Sequence, residues 1–374
     1  MLKLNPDLPV IDNWQALFLQ KTPLLDVRAP IEFHAGAFPL TTNLPLMDDA
    51  DRDAIGKRYK QVGQDAAIEL GLQRISGDIK KQRVQAWAEF VRQHPEGVLY
   101  CFRGGLRSKI SQQWLYEYSG IHYPRVYGGY KAMRRYLLEQ LEQLPNQFKW
   151  LVLTGRTGTG KTRFLPSVQQ HIDLEKLAHH RGSAFGAYPS AQPAQISFEN
   201  AVTIELLRHA HAGHQVLLVE DESRRIGSLH LPEILFNQLC QAPVIAMQVD
   251  TDTRLKLTYQ EYIIDALQAF TQTCAGDETA GLQAFAHYLQ TSLGKIERRL
   301  GGMRYQKAIH LLQQALALHQ QTGNLDAHQG WIKYLLLNYY DPMYDFQISR
   351  KQQRLVFQGT PAEISAYLQS VGIR

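Results

Sequence analysis

Short apolar runs bounded by turn residues alternate with helix-spaced stretches through the first two-thirds of the chain. Leu24-Leu25-Asp26-Val27 is a strand-like run, and Gly97-Val98-Leu99-Tyr100-Cys101 is a second that ends in a glycine-rich turn. Beyond the turn, Ile110, Trp114, Leu115 and Tyr118 recur at helical spacing and predict a helix over Leu106 to Tyr118. Lys131 to Leu144 reads as another helix, closed by Pro145. Phe148 to Leu153 is a strand feeding a second glycine-rich loop, with a further helix expected from Lys161. Val216-Leu217-Leu218-Val219 and Val244 to Val249 are buried-strand candidates. Strands alternating with helices predict parallel sheets, so the expected fold class is α/β. From about Arg254 onward the pattern is mostly helical and rich in Gln and Leu, without a solenoid-length repeat.

A chain of 374 residues exceeds what one ordinary core serves, so two or three domains are expected. Apolar residues at 44% and charged residues at 20% describe a globular protein, not a disordered one. No apolar run approaches bilayer length and Met1 to Leu8 has no signal-peptide pattern, so the expected location is cytoplasmic, away from membranes. Cys101, Cys240 and Cys274 are widely spaced, which suggests neither a disulfide framework nor a zinc site. The net charge of +5 permits a polyanionic partner such as RNA without requiring one.

Chemistry concentrates first in Tyr100-Cys101-Phe102-Arg103-Gly104-Gly105-Leu106-Arg107-Ser108. Gly104 and Gly105 let backbone amides turn toward the sulfur, while Arg103 and Arg107 supply positive charge. Strand, turn and helix together place the thiol at the carboxyl end of a sheet beside a helix N-terminus, a location that favours a thiolate and bound anions. Cys240 and Cys274 lack such surroundings and read as packing. Two chemistries fit Cys101. A phosphatase would attack phosphorus with the thiolate and clamp oxygens with an arginine; a rhodanese would load the thiol with sulfur or selenium. Asp26-Val27-Arg28, Glu32-Phe33, Gly36-Ala37 and Asn43-Leu44-Pro45 resemble the rhodanese pattern, and Tyr100 stands where phosphatases carry histidine. Chalcogen transfer is therefore favoured. The loop is one residue longer than in single-domain rhodaneses, which suggests room for a larger guest.

The second loop, Gly155-Arg156-Thr157-Gly158-Thr159-Gly160-Lys161-Thr162, has Walker A spacing between a predicted strand and helix. Gly155, Gly158 and Gly160 allow amides to face phosphate oxygens, Lys161 neutralises phosphate charge, and Thr162 is able to ligate Mg2+. Glu220, Asp221 and Glu222 follow the Val216 strand at the place of a Walker B group, and sequence does not rank them. No guanine-reading Asn-Lys-x-Asp motif is present, which disfavours a GTPase. The guest is ATP or another diphosphate. His209, His211 and His214 close a predicted helix, where imidazoles complement the helix dipole better than they make a metal site. Arg298, Arg299 and Arg304, with Tyr305, form either an RNA contact or a solvated helix face.

The combined motif set resembles the tRNA 2-selenouridine synthases, and the likeness covers most of the chain. Leu25 to Pro30 and Glu32-Phe33 look like the family's opening, Lys57-Arg58-Tyr59-Lys60 through Gly71 like its insertion, and Cys101 to Lys109 like its cysteine loop. Gly128 to Ala132 looks like its domain junction. Gly155 to Thr162, His180 to Gly186, Glu222 to Gly227 and Tyr339 to Tyr344 complete the set. The resemblance implies a rhodanese-like domain over residues 1–130, a linker helix over 131–148, a P-loop α/β domain over 149–253 and a mostly helical C-terminal extension over 254–374, either separate from the P-loop domain or part of it. It implies a transferase that replaces sulfur by selenium at the wobble 2-thiouridine of tRNA. The thio group is first alkylated from geranyl diphosphate, and selenium from selenophosphate, carried on Cys101 as an S–Se adduct, then displaces the S-geranyl group. No tightly bound cofactor is implied. A rhodanese- or phosphatase-like enzyme coupled to an ATP-binding domain is the alternative, and a non-catalytic RNA-binding protein ranks third.

Overall fold

The computed structural model describes residues 4–373. It divides into two compact units, the first holding residues 1–144 and 194–212, the second holding 145–193 and 213–374.

In the first unit five short strands form one parallel sheet: β1 (Val10–Ile11), β2 (Leu24–Asp26), β3 (Thr41–Asn43), β4 (Val98–Tyr100) and β5 (Arg125–Val126). Their order is β1-β5-β4-β2-β3, so the strand preceding the cysteine loop is central. Both β2 and β4 are buried throughout, as expected of strands covered on two faces. Leu25, Leu99, Trp87, Ile110 and Trp114 belong to the core that also buries Cys101. The motif around Asp26 proves to be a structural clasp. Arg28, 1% exposed, donates from Nε to Asp26 Oδ2 at 2.8 Å and from Nη2 to the Gly36 carbonyl at 2.8 Å, while its guanidinium lies 3.8 Å from the Tyr130 ring centre. Asn43 donates to the carbonyls of Asp26 and Arg28.

The boundary lies beyond residue 130. Helix Gly129–Gln143, expected to serve as a linker, packs within the first unit against helix Gln195–His211. Arg134 holds the second helix by donating to Asn200 Oδ1 at 2.8 Å and pairing with Glu199. Asn200 and Ser197 in turn bond the backbone of Ala37. A segment drawn from the middle of the expected P-loop region thus completes the first unit.

The second unit carries β6 (Lys149–Gly155), β7 (His171–Ile172), β8 (Val216–Glu220), a small antiparallel hairpin of β9 (Arg225–Ile226) and β10 (Leu229–His230), β11 (Val244–Met247) and β12 (Leu355–Gly359). The main sheet is parallel in the order β12-β11-β6-β8-β7. The C-terminal part is mostly helical, as expected, and its strand β12 joins it to the main sheet by forming that sheet's edge. Helices between residues 251 and 349 build a separate core around Phe285, Leu289, Leu293, Leu312 and Trp331. Among the described residues no helix is long and apolar enough to cross a membrane.

Candidate functional site

The cysteine loop leaves the carboxyl end of β4 and runs into helix Leu106–Ser119, as the strand–turn–helix pattern predicts. Cys101 is 2% exposed, and its Sγ lies 3.2 Å from Ser108 Oγ, whose hydroxyl donates to the Gly105 carbonyl at 3.0 Å. Gly104 takes φ +63°, and a Cβ there would stand 2.7 Å from the Gly128 nitrogen, so the turn requires glycine for conformation and space alike. The two arginines divide. Arg107 is committed to Glu32 through two bonds of 2.6 and 3.1 Å, although its charge is still felt at Cys101. Burial works against the Glu32 charge, but the Arg107 pair outweighs it and holds the carboxyl below its ordinary value. Arg103 is exposed, with its guanidinium 6.0 Å from the Phe102 ring centre.

Sequence reasoning missed two supports of this loop. Arg125 donates to the Gly104 carbonyl at 3.3 Å and brings a further positive charge within reach of Cys101. Tyr130 and Lys131 donate backbone amides to the carbonyls of Cys101 and Phe102, each at 2.9 Å. The Gly128-Gly129-Tyr130 segment, read as a domain junction, is therefore the floor of the thiol loop. Its paired glycines were the available signal.

The glycine loop joins the carboxyl end of β6 to a helix of one turn, Lys161–Phe164, followed by a 3-10 turn containing Pro166. The helix expected from Lys161 starts there and ends within one turn, ahead of Pro166. Gly158 and Gly160 have φ of +81° and +78°. Lys161 donates from Nζ to the Gly155 carbonyl at 2.8 Å, folding the ammonium over the loop it would share with a phosphate. Thr162 donates to Glu175 Oε2 at 3.0 Å. A cavity of about 430 Å³ opens beside the loop, lined also by Arg181, Tyr188, Glu222, Tyr262 and Tyr340. Tyr262 and Tyr340 lie in π-helical turns, Gln260–Ile264 and Leu336–Tyr340, that interrupt α-helices. Such turns are frequent at functional sites.

The structure separates the three acids after β8. Glu220 is fully buried and accepts from the Leu174 amide at 3.1 Å. Asp221 accepts from Thr154 Oγ1 at 2.6 Å and from Lys351 Nζ at 2.6 Å, which makes it a strut. Glu222 faces the cavity alongside Glu175, an acid that no local pattern in the sequence marks. Burial, and then the neighbouring Glu175, push the Glu222 carboxyl well above the ordinary range; Glu175 is raised too, chiefly by burial. Two buried carboxyls this close repel each other when both are charged, which favours a proton on the pair.

The basic stretch lies elsewhere in the second unit. Arg298 and Arg299 are exposed on the short helix Glu297–Leu300, and exposed Arg304 donates to the Asn338 carbonyl at 3.4 Å. Nearby Met303 is 91% exposed. His209 and His211 close helix Gln195–His211, and no group of three or more metal-ligating side chains occurs among the described residues.

A family profile described as the tRNA 2-selenouridine synthase AAA domain matches residues 148–372. A Bordetella petrii protein named tRNA 2-selenouridine synthase is 48% identical over 357 residues, covering 96% of this chain and 95% of its own. The chain belongs to the tRNA 2-selenouridine synthase family. A Marinobacter nauticus protein of the same name is 46% identical, covering 97% of this chain and 98% of its own. A Sulfurovum protein, also so named, is 42% identical with the same coverage. Family membership thus extends over both units, including the thiol loop that lies outside the matched profile.

Proposed function

We propose that this chain converts wobble 2-thiouridine of tRNA to 2-selenouridine in two steps, S-geranylation from geranyl diphosphate and then replacement by selenium from selenophosphate. The observation that carries the reading is a buried thiol in a glycine-walled, cation-flanked loop on one parallel sheet, with a phosphate loop on a second sheet of the same chain. Alkylation comes first for a chemical reason. Sulfur bound only to the base leaves poorly, whereas an S-alkyl group leaves as a thiol.

The first unit acts as the rhodanese-like part, with Cys101 holding selenium. Arg107 and Arg125 contribute positive charge near it, and Ser108 is the hydroxyl within contact of the sulfur. In the second unit, the amides of the glycine loop and Lys161 take the diphosphate and offset its charge as it departs. Lys161 must leave the Gly155 carbonyl to do so, exchanging a neutral acceptor for an anionic one. Mg2+ fits the same corner, because Thr162, Glu175 and Glu222 offer hard oxygen donors beside the loop. The ion would add charge neutralisation at the phosphates. Arg298, Arg299 and Arg304 serve as an RNA contact.

The test is nucleoside mass spectrometry of 2-thiouridine tRNA incubated with the protein, selenophosphate and geranyl diphosphate. Geranylated and selenated nucleosides are expected. Absence of both overturns the assignment in favour of a phosphatase-like or ATP-dependent enzyme.

A further inference from the structure

Beside the thiol loop, in the first unit alone, lies an apolar cavity that the two-loop reading leaves without a role. Its volume is about 750 Å³, within the ~300–1,000 Å³ common for small-molecule sites. One wall is the helix that starts at the cysteine loop, through Leu106, Ile110 and Trp114; the other is the helix pair Asp49–Val62 and Gln64–Arg74, through Ile55, Ile68 and Leu72.

That helix pair is unusual in what it fails to bury. Helix Asp49–Val62 has no buried residue, and Ala67 is the one buried residue of its partner. Ile55 and Leu72 reach the edge of the core containing Cys101 and still border open space. Amphipathic helices normally close such a gap against their own core, and an apolar opening of this size marks a binding site. The helix-side rim carries Arg52, Lys57 and Lys60 against Glu32 and Asp53, with Arg52 3.4 Å from Glu32 and Tyr59 56% exposed, so cations exceed acids by one there. Lys57 is paired with Asp53 only at the surface, an arrangement that holds its charge weakly. An apolar floor under a cationic, aromatic rim matches an apolar chain carried on an anionic nucleic acid.

We infer that this cavity receives the ten-carbon chain of the S-geranylated wobble nucleoside while the RNA backbone rests on the Lys57–Lys60 rim. The inference rests on the two-step reading above and adds where the chain lies during the second step. With the chain beside Arg107 and Leu106, the reacting carbon stands at the mouth of the thiol loop. Selenophosphate held at the thiol loop supplies selenium already at the selenide level. The Se–C2 bond forms as the C2–S bond breaks, and water then cleaves the Se–P bond and carries the phosphoryl group away as phosphate. Geranyl thiolate departs into the cavity and takes up a proton. No oxidant or reductant is consumed, and the departing chain remains in an apolar site.

The experiment compares two anticodon stem-loop RNAs, one with 2-thiouridine and one with its S-geranyl form, binding to the full chain by fluorescence anisotropy. The geranylated RNA should bind about tenfold or more tightly, since burial of even a few methylene groups yields that factor. Ile68→Trp, which fills the cavity, should abolish the preference and leave affinity for unalkylated RNA in place. A diazirine on the geranyl chain should label wild-type peptides within 49–75 or 106–114, a readout independent of how the variant folds. Equal binding of the two RNAs, or labelling confined to residues 145–193 and 213–374, overturns the inference. If the wild-type enzyme makes selenated product and the chain still labels elsewhere, this inference alone fails; if neither product forms, the two-step reading fails.

Discussion

The glycine loop is held from behind by a buried ion pair, and breaking that pair should loosen the loop measurably. Arg254 is 1% exposed and donates from Nη2 and Nη1 to the two oxygens of Asp341 at 2.5 and 3.1 Å. Its Nε donates to the Thr157 carbonyl at 3.0 Å, inside the loop. The Arg254 carbonyl lies where a Cβ on Gly158 would approach to 2.8 Å, so the arginine and the loop are packed directly. Asp341→Ala strips a buried guanidinium of its carboxylate and leaves it bonded to the Thr157 carbonyl, and removing one partner of such a pair costs about 3–5 kcal/mol. Asp341→Asn keeps the shape and an acceptor oxygen but loses the charge, which costs about 1.5–3 kcal/mol. The two units need not unfold together, so hydrogen exchange resolved by peptide accompanies urea unfolding of the full chain. Faster exchange is expected over 155–164 and 251–259, with peptides from 98–119 unchanged. A loss below about 1 kcal/mol in Asp341→Ala, with unaltered exchange across the loop, would refute the claim that this pair braces the phosphate site.

Cys101→Ala should abolish selenation of geranylated tRNA and leave geranylation largely intact; full selenation by the variant, read by nucleoside mass spectrometry, removes Cys101 from its role. Lys161→Ala should impair geranylation yet retain most selenation when supplied with already geranylated tRNA, and normal geranylation would reassign the loop to a nucleotide. His328 supplies a pH prediction. It is fully buried, its Nδ1 accepts from Trp331 Nε1 at 3.0 Å, and burial lowers its pKa from 6.5 to about 4. The neutral ring is the form the fold accepts, so its contribution is complete above pH 6.5 and is lost as pH falls toward 4. At ~1.4 kcal/mol per pH unit the loss reaches up to ~3 kcal/mol, and His328→Phe should flatten that part of the urea-midpoint profile; an equally steep profile in the variant counts against it.

How legible these features are depends on whether their cause is local. The cysteine and glycine loops are written in consecutive residues, because a turn that must bend amides toward an anion needs glycines at fixed offsets. Buried central strands such as β4 and β8 are likewise visible as unbroken apolar runs. Strand β12 is not, since its Leu355-Val356-Phe357-Gln358-Gly359 sequence alternates between half-buried and exposed positions before a buried glycine, as an edge strand does among helices. Helix Gln195–His211 shows no sign of its allegiance, because Asn200, Thr203 and His209 are buried alongside its apolar residues and blur its inner face. Glu175 was unreadable for a different reason. It sits 47 residues before Glu222, and the sheet, not the neighbouring sequence, brings the two carboxyls together.

That meeting of acids sets the electrostatic problem the phosphate site must solve. Lys161, Arg163 and Arg181 line the cavity with Glu175, Asp221, Glu222, Glu261 and Asp265, so acids outnumber cations where a diphosphate would enter. Lys351 answers Asp221, and Arg163 answers Glu261 at 2.9 Å. Burial and mutual repulsion both favour a proton on the Glu175–Glu222 pair, against the nearby charge of Lys161. A divalent cation competes for those same oxygens and must displace that proton, which makes its affinity rise with pH. On the proposed reading the acids would therefore place a condition on phosphate binding without preventing it. On that reading, an anionic substrate would enter once Lys161 leaves the Gly155 carbonyl and the carboxyl pair is neutralised by proton or metal. On the same reading the thiol loop, flanked by Arg107 and Arg125 and with the nearby acids Glu32 and Asp26 already paired to Arg107 and Arg28, would impose no such condition on selenium.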